Sequence, residues 1–267
     1  MHKMLKILIF TDLDGSLLDR DTFKFDEIKD YLNQLLSKGI IIIPNTSKTA
    51  KEIIKFSTEL GSSLPYISEN GSAINGLDLL NSNLPKELIL GREKENLIKI
   101  FEKSVPAYLQ NKCKWLSKMD KKKQSLIFGL EDENLKIALE RKYSIPFIFE
   151  GTKSEKKKLS TIVKKKGLAL QEGGRVINLT DKVNKAKALQ IFVRFFKKNN
   201  KNVKTIAVGD NFNDLDMLKM CDFPCLVFND KFTLDEIPIN NLITTNKPSP
   251  EGWADVIKMA LVKINKN

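Results

Sequence analysis

The run Gly39-Ile40-Ile41-Ile42-Ile43-Pro44 places four β-branched apolar residues in a row between two residues that end regular structure. It has no polar alternation, so neither face of such a strand meets water. Continuous runs of this kind belong to parallel sheets covered by helices on both sides. The flanking sequence agrees. Lys6 to Phe10 is a short apolar run, and Phe25 to Lys38 places Ile28, Tyr31, Leu32, Leu35 and Leu36 on one helical face. Thr49 to Leu60 predicts a second helix closed by Gly61, and Pro65 to Ser68 another short strand. The series is β-α-β-α-β, the pattern of an open α/β sheet with a mostly parallel strand order.

The same alternation returns after residue 184. Lys185 to Lys198 predicts a helix, Val203 to Val208 a buried strand, Asp214 to Met220 a helical piece, Cys225 to Phe228 a strand, and Glu251 to Ile264 a last helix. Ser249 and Pro250 suit the start of that helix. Between them lies a lysine-rich stretch, with helices over Glu93 to Lys103 and Asp132 to Lys142 and strands over Pro146 to Phe149 and Val176 to Leu179. The expected division is a core of residues 1–84 and 181–267 with an inserted α/β unit at 85–180.

Composition removes several function classes. The single histidine is His2, which leaves no Ser-His-Asp triad, Cys-His dyad or histidine-bearing zinc site. Three cysteines, Cys113, Cys221 and Cys225, suit a reducing cytoplasm better than a disulfide framework. No apolar run reaches the roughly 18 residues of a membrane helix, and the first ten residues lack a leader's cleavage site. The formal net charge is +12, yet the lysine runs 121–123, 156–158 and 164–166 carry no interleaved aromatics. They are expected to be solvated surface that steers an anionic small molecule, with a basic nucleic-acid-binding protein as the remote alternative.

The chemistry begins where the first strand ends. Asp12 and Asp14, in Asp12-Leu13-Asp14-Gly15, are spaced so that extended chain would project both carboxylates to one side. One could attack phosphorus while the other moves a proton, and together they offer oxygens to Mg²⁺. Asp-Gly between apolar runs is equally a turn signal. Gly209-Asp210-Asn211-Phe212-Asn213-Asp214 puts two further carboxylates at the end of another buried strand, or is an Asx-rich helix cap. Four carboxylates on one sheet edge repel one another unless a cation sits among them. Thr46-Ser47-Lys48-Thr49 is both a capping box with Glu52 and a set of hydroxyls, amides and a cation suited to phosphate. Lys182, Lys185 and Lys187 precede a strand-helix unit, and a solvated helix face accounts for at least two of them.

In order, Asp12-x-Asp14-Gly15, Thr46, a lysine near 185 and Gly209-Asp210-x-x-Asn213-Asp214 resemble the four motifs of the haloacid dehalogenase superfamily of phosphatases. The resemblance implies a Rossmann-like core with an inserted cap of the second (C2) type, Mg²⁺, and an aspartyl-phosphate intermediate. By position it makes Asp12 the nucleophile and Asp14 the acid and base. Asp12, the Asp14 carbonyl and Asp210 hold the metal with Asp214 close behind, and Thr46 and Lys185 bind the phosphoryl group. Arg141 to Phe147, Glu172-Gly173-Gly174-Arg175 with Asn184 to Ala188, Thr46 to Glu52, and Ser249 to Trp253 are similar to stretches of the mannosyl-3-phosphoglycerate phosphatases. Asn184 and Asn178 depart from that pattern, which usually has aspartate and histidine there. This implies a substrate site including Ser47, Lys48, Thr49, Gly173, Gly174, Arg175 and Asn213. It also implies a cytoplasmic enzyme, monomer or homodimer, that acts on a small phosphorylated glycoside and has no nucleic-acid or membrane partner.

Overall fold

The computed structural model describes residues 5–173, 175–230 and 237–266; His2 and Gly174 lie outside them. The chain opens with β1 (Lys6–Thr11), α1 (Asp26–Ser37), β2 (Ile41–Pro44) and α2 (Ala50–Leu60). Asp26 and Glu27 occupy the first turn of α1, where their charge meets the unpaired N–H groups. At α2 the capping box is formed: the Thr49 hydroxyl accepts from the Glu52 N–H, and the Glu52 carboxylate accepts from the Thr49 N–H. Gly61, at φ 80°, ends the helix.

β3 (Tyr66–Ser68), β4 (Ala73–Asn75) and β5 (Glu87–Ile89) follow and form an antiparallel three-stranded sheet. Here the structure departs from the β-α-β-α-β expectation. β3 touches the line of β2 through one bridge, Asn45 to Ile67, and then leaves it. The cause is local. Glu69, Asn70 and Gly71 all have positive φ (46°, 59° and 94°), which folds the chain straight back into β4. Gly71 is also sterically required, because a Cβ there would lie 2.3 Å from the Asn184 carbonyl oxygen.

The middle of the chain contains α3 (Lys94–Ser104), α4 (Ala107–Gln110), β6 (Cys113–Trp115), α5 (Lys121–Phe128), α6 (Asp132–Leu139), β7 (Ser144–Phe149), α7 (Lys153–Lys165), β8 (Leu168–Glu172) and β9 (Ile177–Asp181). Its four strands make a second antiparallel sheet in the order β6-β7-β9-β8. Phe101, Phe147 and Leu159 are buried in its core. α6 ends at Leu139, three residues before the expected Lys142, because residues 141–144 turn away to hydrogen-bond elsewhere. Both chain crossings between this unit and the rest are tied together: Arg92 donates from Nε and Nη2 to the two Asp181 carboxylate oxygens at 2.8 and 2.9 Å.

The remainder is α8 (Lys185–Lys197), β10 (Val203–Gly209), α9 (Leu215–Lys219), β11 (Phe223–Leu226), β12 (Ile243–Thr244) and α10 (Glu251–Lys266). β11 lies two residues earlier than expected, with Cys225 paired to Val208. The main sheet is five parallel strands in the order β12-β11-β10-β1-β2, so β10 is central and β1 is an interior strand beside the edge strand β2. Its side chains divide between two cores. Ile9 packs with Trp253, Ile257 and Leu32 on one face, while Leu8 and Phe10 pack with Phe192 and Met217 on the other. The chain is therefore α/β with both sheet faces covered, as the run 40–43 requires. β1, β2 and β10 end level, with Thr11 opposite both Pro44 and Val208.

Candidate active site

Because those three strands stop together, the residues that follow them meet at one edge, where open α/β sheets place ligands. Thr11 anchors the turn: its hydroxyl donates to the Asp12 carbonyl at 2.6 Å and accepts from Trp253 Nε1 at 2.9 Å. The strand does not continue through Asp14. Ser16 and Leu18 both donate to the Leu13 carbonyl, so 12–18 is a tight turn. Asp-Leu-Asp-Gly is thus a turn, and the turn leaves both carboxylates lining one cavity.

The most concentrated charge is buried. Asp12, Asp210 and Asp214 each present a carboxylate oxygen, all within 4.8 Å of one another, and no side chain of the three is more than 9% exposed. Lys185 Nζ lies 2.7 Å from both Asp12 and Asp214. Burial would lower its pKa, but the two carboxylates outweigh that and hold it above its ordinary value. Asn45 Nδ2, donating to the Lys185 carbonyl at 3.0 Å, fixes the start of α8. Lys182 and Lys187 are exposed, so Lys185 alone of the three reaches the cluster.

Asp210 accepts from Ser16 Oγ at 3.1 Å and Arg20 Nη2 at 2.7 Å. Asp214 accepts from the backbone N–H of Asp210 and Asn211. Burial raises the pKa of both acids. Asp214 and Asp12 raise that of Asp210 further, and Lys185 only partly restrains Asp214. Three crowded acids with hard oxygen donors are poorly satisfied by one ammonium and one guanidinium, and this donor set fits a metal ion.

Asp14 stands on the cavity wall, its side chain 39% exposed and 2.9 Å from Lys48 Nζ. Its surroundings raise its pKa by desolvation, against the pull of Lys48. Lys48 also reaches Glu52 at 3.2 Å. Glu52 feels a strong desolvation, but Lys48 and Arg141 outweigh it and lower its pKa.

A cavity of about 260 Å³ opens beside these groups. Of the expected substrate residues, Ser47, Lys48, Gly173, Arg175 and Asn213 line it. Thr46 is buried at the end of β2 behind the lining, and its hydroxyl accepts from the Lys48 N–H. The Thr49 side chain serves the α2 cap and donates to the Ile137 carbonyl, outside the lining. Arg175 spends two N–H groups on backbone, donating from Nη1 to the Phe128 carbonyl and from Nη2 to the Arg20 carbonyl.

Several cavity residues had no assigned role in the sequence. Arg20 and Phe23 lie in a loop with no recognisable pattern. Asn178 is 2% exposed, lines the cavity, and its Oδ1 has no hydrogen-bond partner. Glu69, also 2% exposed, accepts from the Lys142 and Tyr143 N–H groups at 3.0 Å each and from Ser144 Oγ at 2.6 Å. Arg141 Nη1 donates to the Ser47 carbonyl at 2.9 Å. The Glu69-Asn70-Gly71 sequence after a strand was the signal available for the first of these contacts.

Comparison with known proteins agrees with this arrangement. A family described as haloacid dehalogenase-like hydrolase matches residues 9–257. A Persephonella marina protein named glucosyl-3-phosphoglycerate/mannosyl-3-phosphoglycerate phosphatase is 31% identical over 97% of this chain and 99% of its own. A Methanococcoides burtonii protein of the same name is 31% identical over 98% of this chain and all of its own. Among solved structures, a Thermoplasma acidophilum protein superposes with a TM-score of 0.69 at 14% identity, covering 96% of this chain and 98% of that one, a likeness of fold. With four acidic and basic motifs converging on one sheet edge, and a family match running from β1 into α10, this chain belongs to the haloacid dehalogenase-like hydrolases.

Proposed function

We propose that the protein is a Mg²⁺-dependent phosphatase that hydrolyses a glycosyl-3-phosphoglycerate, mannosyl or glucosyl, to the glycosylglycerate and phosphate. The observation that carries this reading is the buried Asp12-Asp210-Asp214 cluster with Lys185 inside it. The names and near-complete overlap of the Persephonella and Methanococcoides relatives supply the substrate class. The inserted unit, expected at 85–180, then acts as the cap that selects the leaving group, with β5 (Glu87–Ile89) paired to β4 on the side of the core.

Asp12, Asp210 and Asp214, with the Asp14 carbonyl, would hold Mg²⁺. When bound, the ion neutralises charge on the phosphoryl oxygens and orients them for in-line attack. An Asp12 carboxylate oxygen forms a bond to phosphorus as the bond from phosphorus to the glycerate oxygen breaks. Asp14 delivers its proton to that departing oxygen, a task suited to a carboxyl whose pKa is raised. Asp14 then takes a proton from water, whose oxygen attacks phosphorus and frees Asp12 and inorganic phosphate. Lys185 binds the transferring group, and Thr46, behind the lining, positions the Lys48 backbone. Ser47, Lys48, Gly173, Gly174, Arg175 and Asn213 serve the rest of the substrate, and Thr49 acts only through the α2 cap.

The test is phosphate release from mannosyl-, glucosyl- and unglycosylated 3-phosphoglycerate with Mg²⁺. At least one glycosylated compound should be turned over at a kcat/KM well above that of para-nitrophenyl phosphate. Turnover of para-nitrophenyl phosphate or other sugar phosphates alone would move the assignment to a different phosphatase of this family.

A further inference from the structure

Among the described residues, Phe23 is the one aromatic side chain in contact with two cavity cations. Lys48 Nζ lies 4.9 Å from its ring centroid and the Arg175 guanidinium carbon 5.0 Å. The two cations come from different parts of the chain: Lys48 follows β2, and Arg175 lies between β8 and β9. Both line the cavity, as Phe23 does. Two like charges drawn to one side of a cavity repel each other, and the electron-rich face of an aromatic ring offsets part of that repulsion.

The ring is held there at a conformational cost. Phe23 has φ 60°, a left-handed backbone that a bulky residue rarely adopts. Its loop compels it. The Phe23 N–H donates to the Asp19 carbonyl at 3.0 Å, and the Asp19 N–H donates to the Lys24 carbonyl at 2.8 Å. The Asp19 carboxylate accepts from the Asp21 N–H, the Thr22 N–H and the Thr22 hydroxyl at 3.1, 2.7 and 2.7 Å. A loop tied this closely around one strained residue is the kind of feature retained where a side chain must be placed.

Each cation also has partners besides the ring. Asp14 and Glu52 hold Lys48, and the Phe128 and Arg20 carbonyls hold Arg175. The ring is what they share. We infer that Phe23 is a positioning residue: its ring holds Lys48 and Arg175 together as one receptor for the carboxylate of the phosphoglycerate part of the substrate. This rests on the functional reading above for the identity of that carboxylate.

The experiment is calorimetric titration of the whole protein with 3-phosphoglycerate, and separately with inorganic phosphate, using wild type, F23L and F23Y. Leucine keeps apolar bulk and the same backbone strain but has no ring face, and tyrosine restores the face. F23L should bind 3-phosphoglycerate about 5- to 30-fold more weakly, the reach of two partly exposed cation–ring contacts. Its affinity for inorganic phosphate should change by less than about twofold, and F23Y should match wild type on both probes.

Four results would each overturn the inference: no binding of 3-phosphoglycerate by wild type, equal binding by F23L, equal loss of both ligands, or F23L too destabilised to fold at the assay temperature. Turnover of glycosylated substrate by the wild type is measured beside these. Its absence, with 3-phosphoglycerate binding and the leucine effect intact, would overturn the functional reading and leave the role of Phe23 standing.

Discussion

Asp12 sits where one oxygen is fixed by the Leu13 N–H at 2.8 Å and the other by Lys185 at 2.7 Å, so its carboxylate is already oriented. Asp12→Asn should lower phosphate release by about 10³-fold or more while the circular dichroism spectrum is unchanged. Activity within tenfold of wild type would remove Asp12 as nucleophile. Arg175→Ala should cost about 2 to 4 kcal/mol in kcat/KM for the glycosylated substrate and much less for para-nitrophenyl phosphate. Equal losses would make its bonds to the Phe128 and Arg20 carbonyls its main role. The thiols give a pH test. Burial pushes Cys113 and Cys221 up to about 12 and raises Cys225 as well. A raised thiol pKa keeps the unreactive protonated form as pH increases, so at pH 8 the folded protein should react with a disulfide reagent on the order of 10³-fold more slowly than the unfolded chain. Rapid labelling of Cys113 or Cys225 at pH 8 would contradict its burial. At this scale the acids were legible because charge at a strand end is a local pattern. Phe23 and Asn178 were not, since a ring between two cations and an orphaned amide oxygen exist only once distant segments meet.

The elements were legible where one rule acted alone. The α2 capping box, the glycine stop and the buried run of β2 all follow from short-range chemistry. β3 was legible as a strand but its sheet was not, because its departure from the parallel sheet depends on three consecutive positive-φ residues whose partners lie far along the chain. The early end of α6 has the same origin: the N–H groups of Lys142 and Tyr143 satisfy Glu69 instead of extending a helix. Glu69 thus joins the loop after β3 to the start of β7, and Arg141 joins the same segment to Ser47. Glu69→Ala would leave two N–H groups and a hydroxyl without their acceptor. It should destabilise the fold by about 2 to 4 kcal/mol, read from urea unfolding. It should also raise KM for the glycosylated substrate through Ser47 and Lys48. A loss under 0.5 kcal/mol would mean that water replaces the carboxylate without penalty, a result at odds with its burial.

Across the whole molecule, three buried acids are held close by the convergence of strands, and the fold carries their repulsion. A divalent cation should therefore stabilise the native protein. At a hundredfold excess over its Kd, Mg²⁺ should add about 2.7 kcal/mol, or roughly 5 to 10 °C in Tm. Asp210→Asn should reduce this rise strongly, and an equal rise in that variant would place the ion elsewhere. The α/β class, the core strands and the order of the motifs were readable because each is written in one contiguous stretch. Ser47, Lys48, Gly173, Arg175 and Asn213 were legible among the cavity lining, but Arg20, Phe23 and Phe128 were not, because their place there depends on packing between stretches far apart in the chain. The interior position of β1, between β2 and β10, has a consequence for the order of folding. One edge of β1 meets β2 about thirty residues later, but the other waits for Val203 to Gly209. Until that segment arrives, a half-built sheet presents a bare row of N–H and C=O groups backed by Ile7 and Ile9, a surface that invites pairing with other chains. The closure that covers this edge is the same one that brings Asp210 to Asp12. An unfinished chain is thus inactive and prone to aggregate for one reason, and both conditions end in a single step.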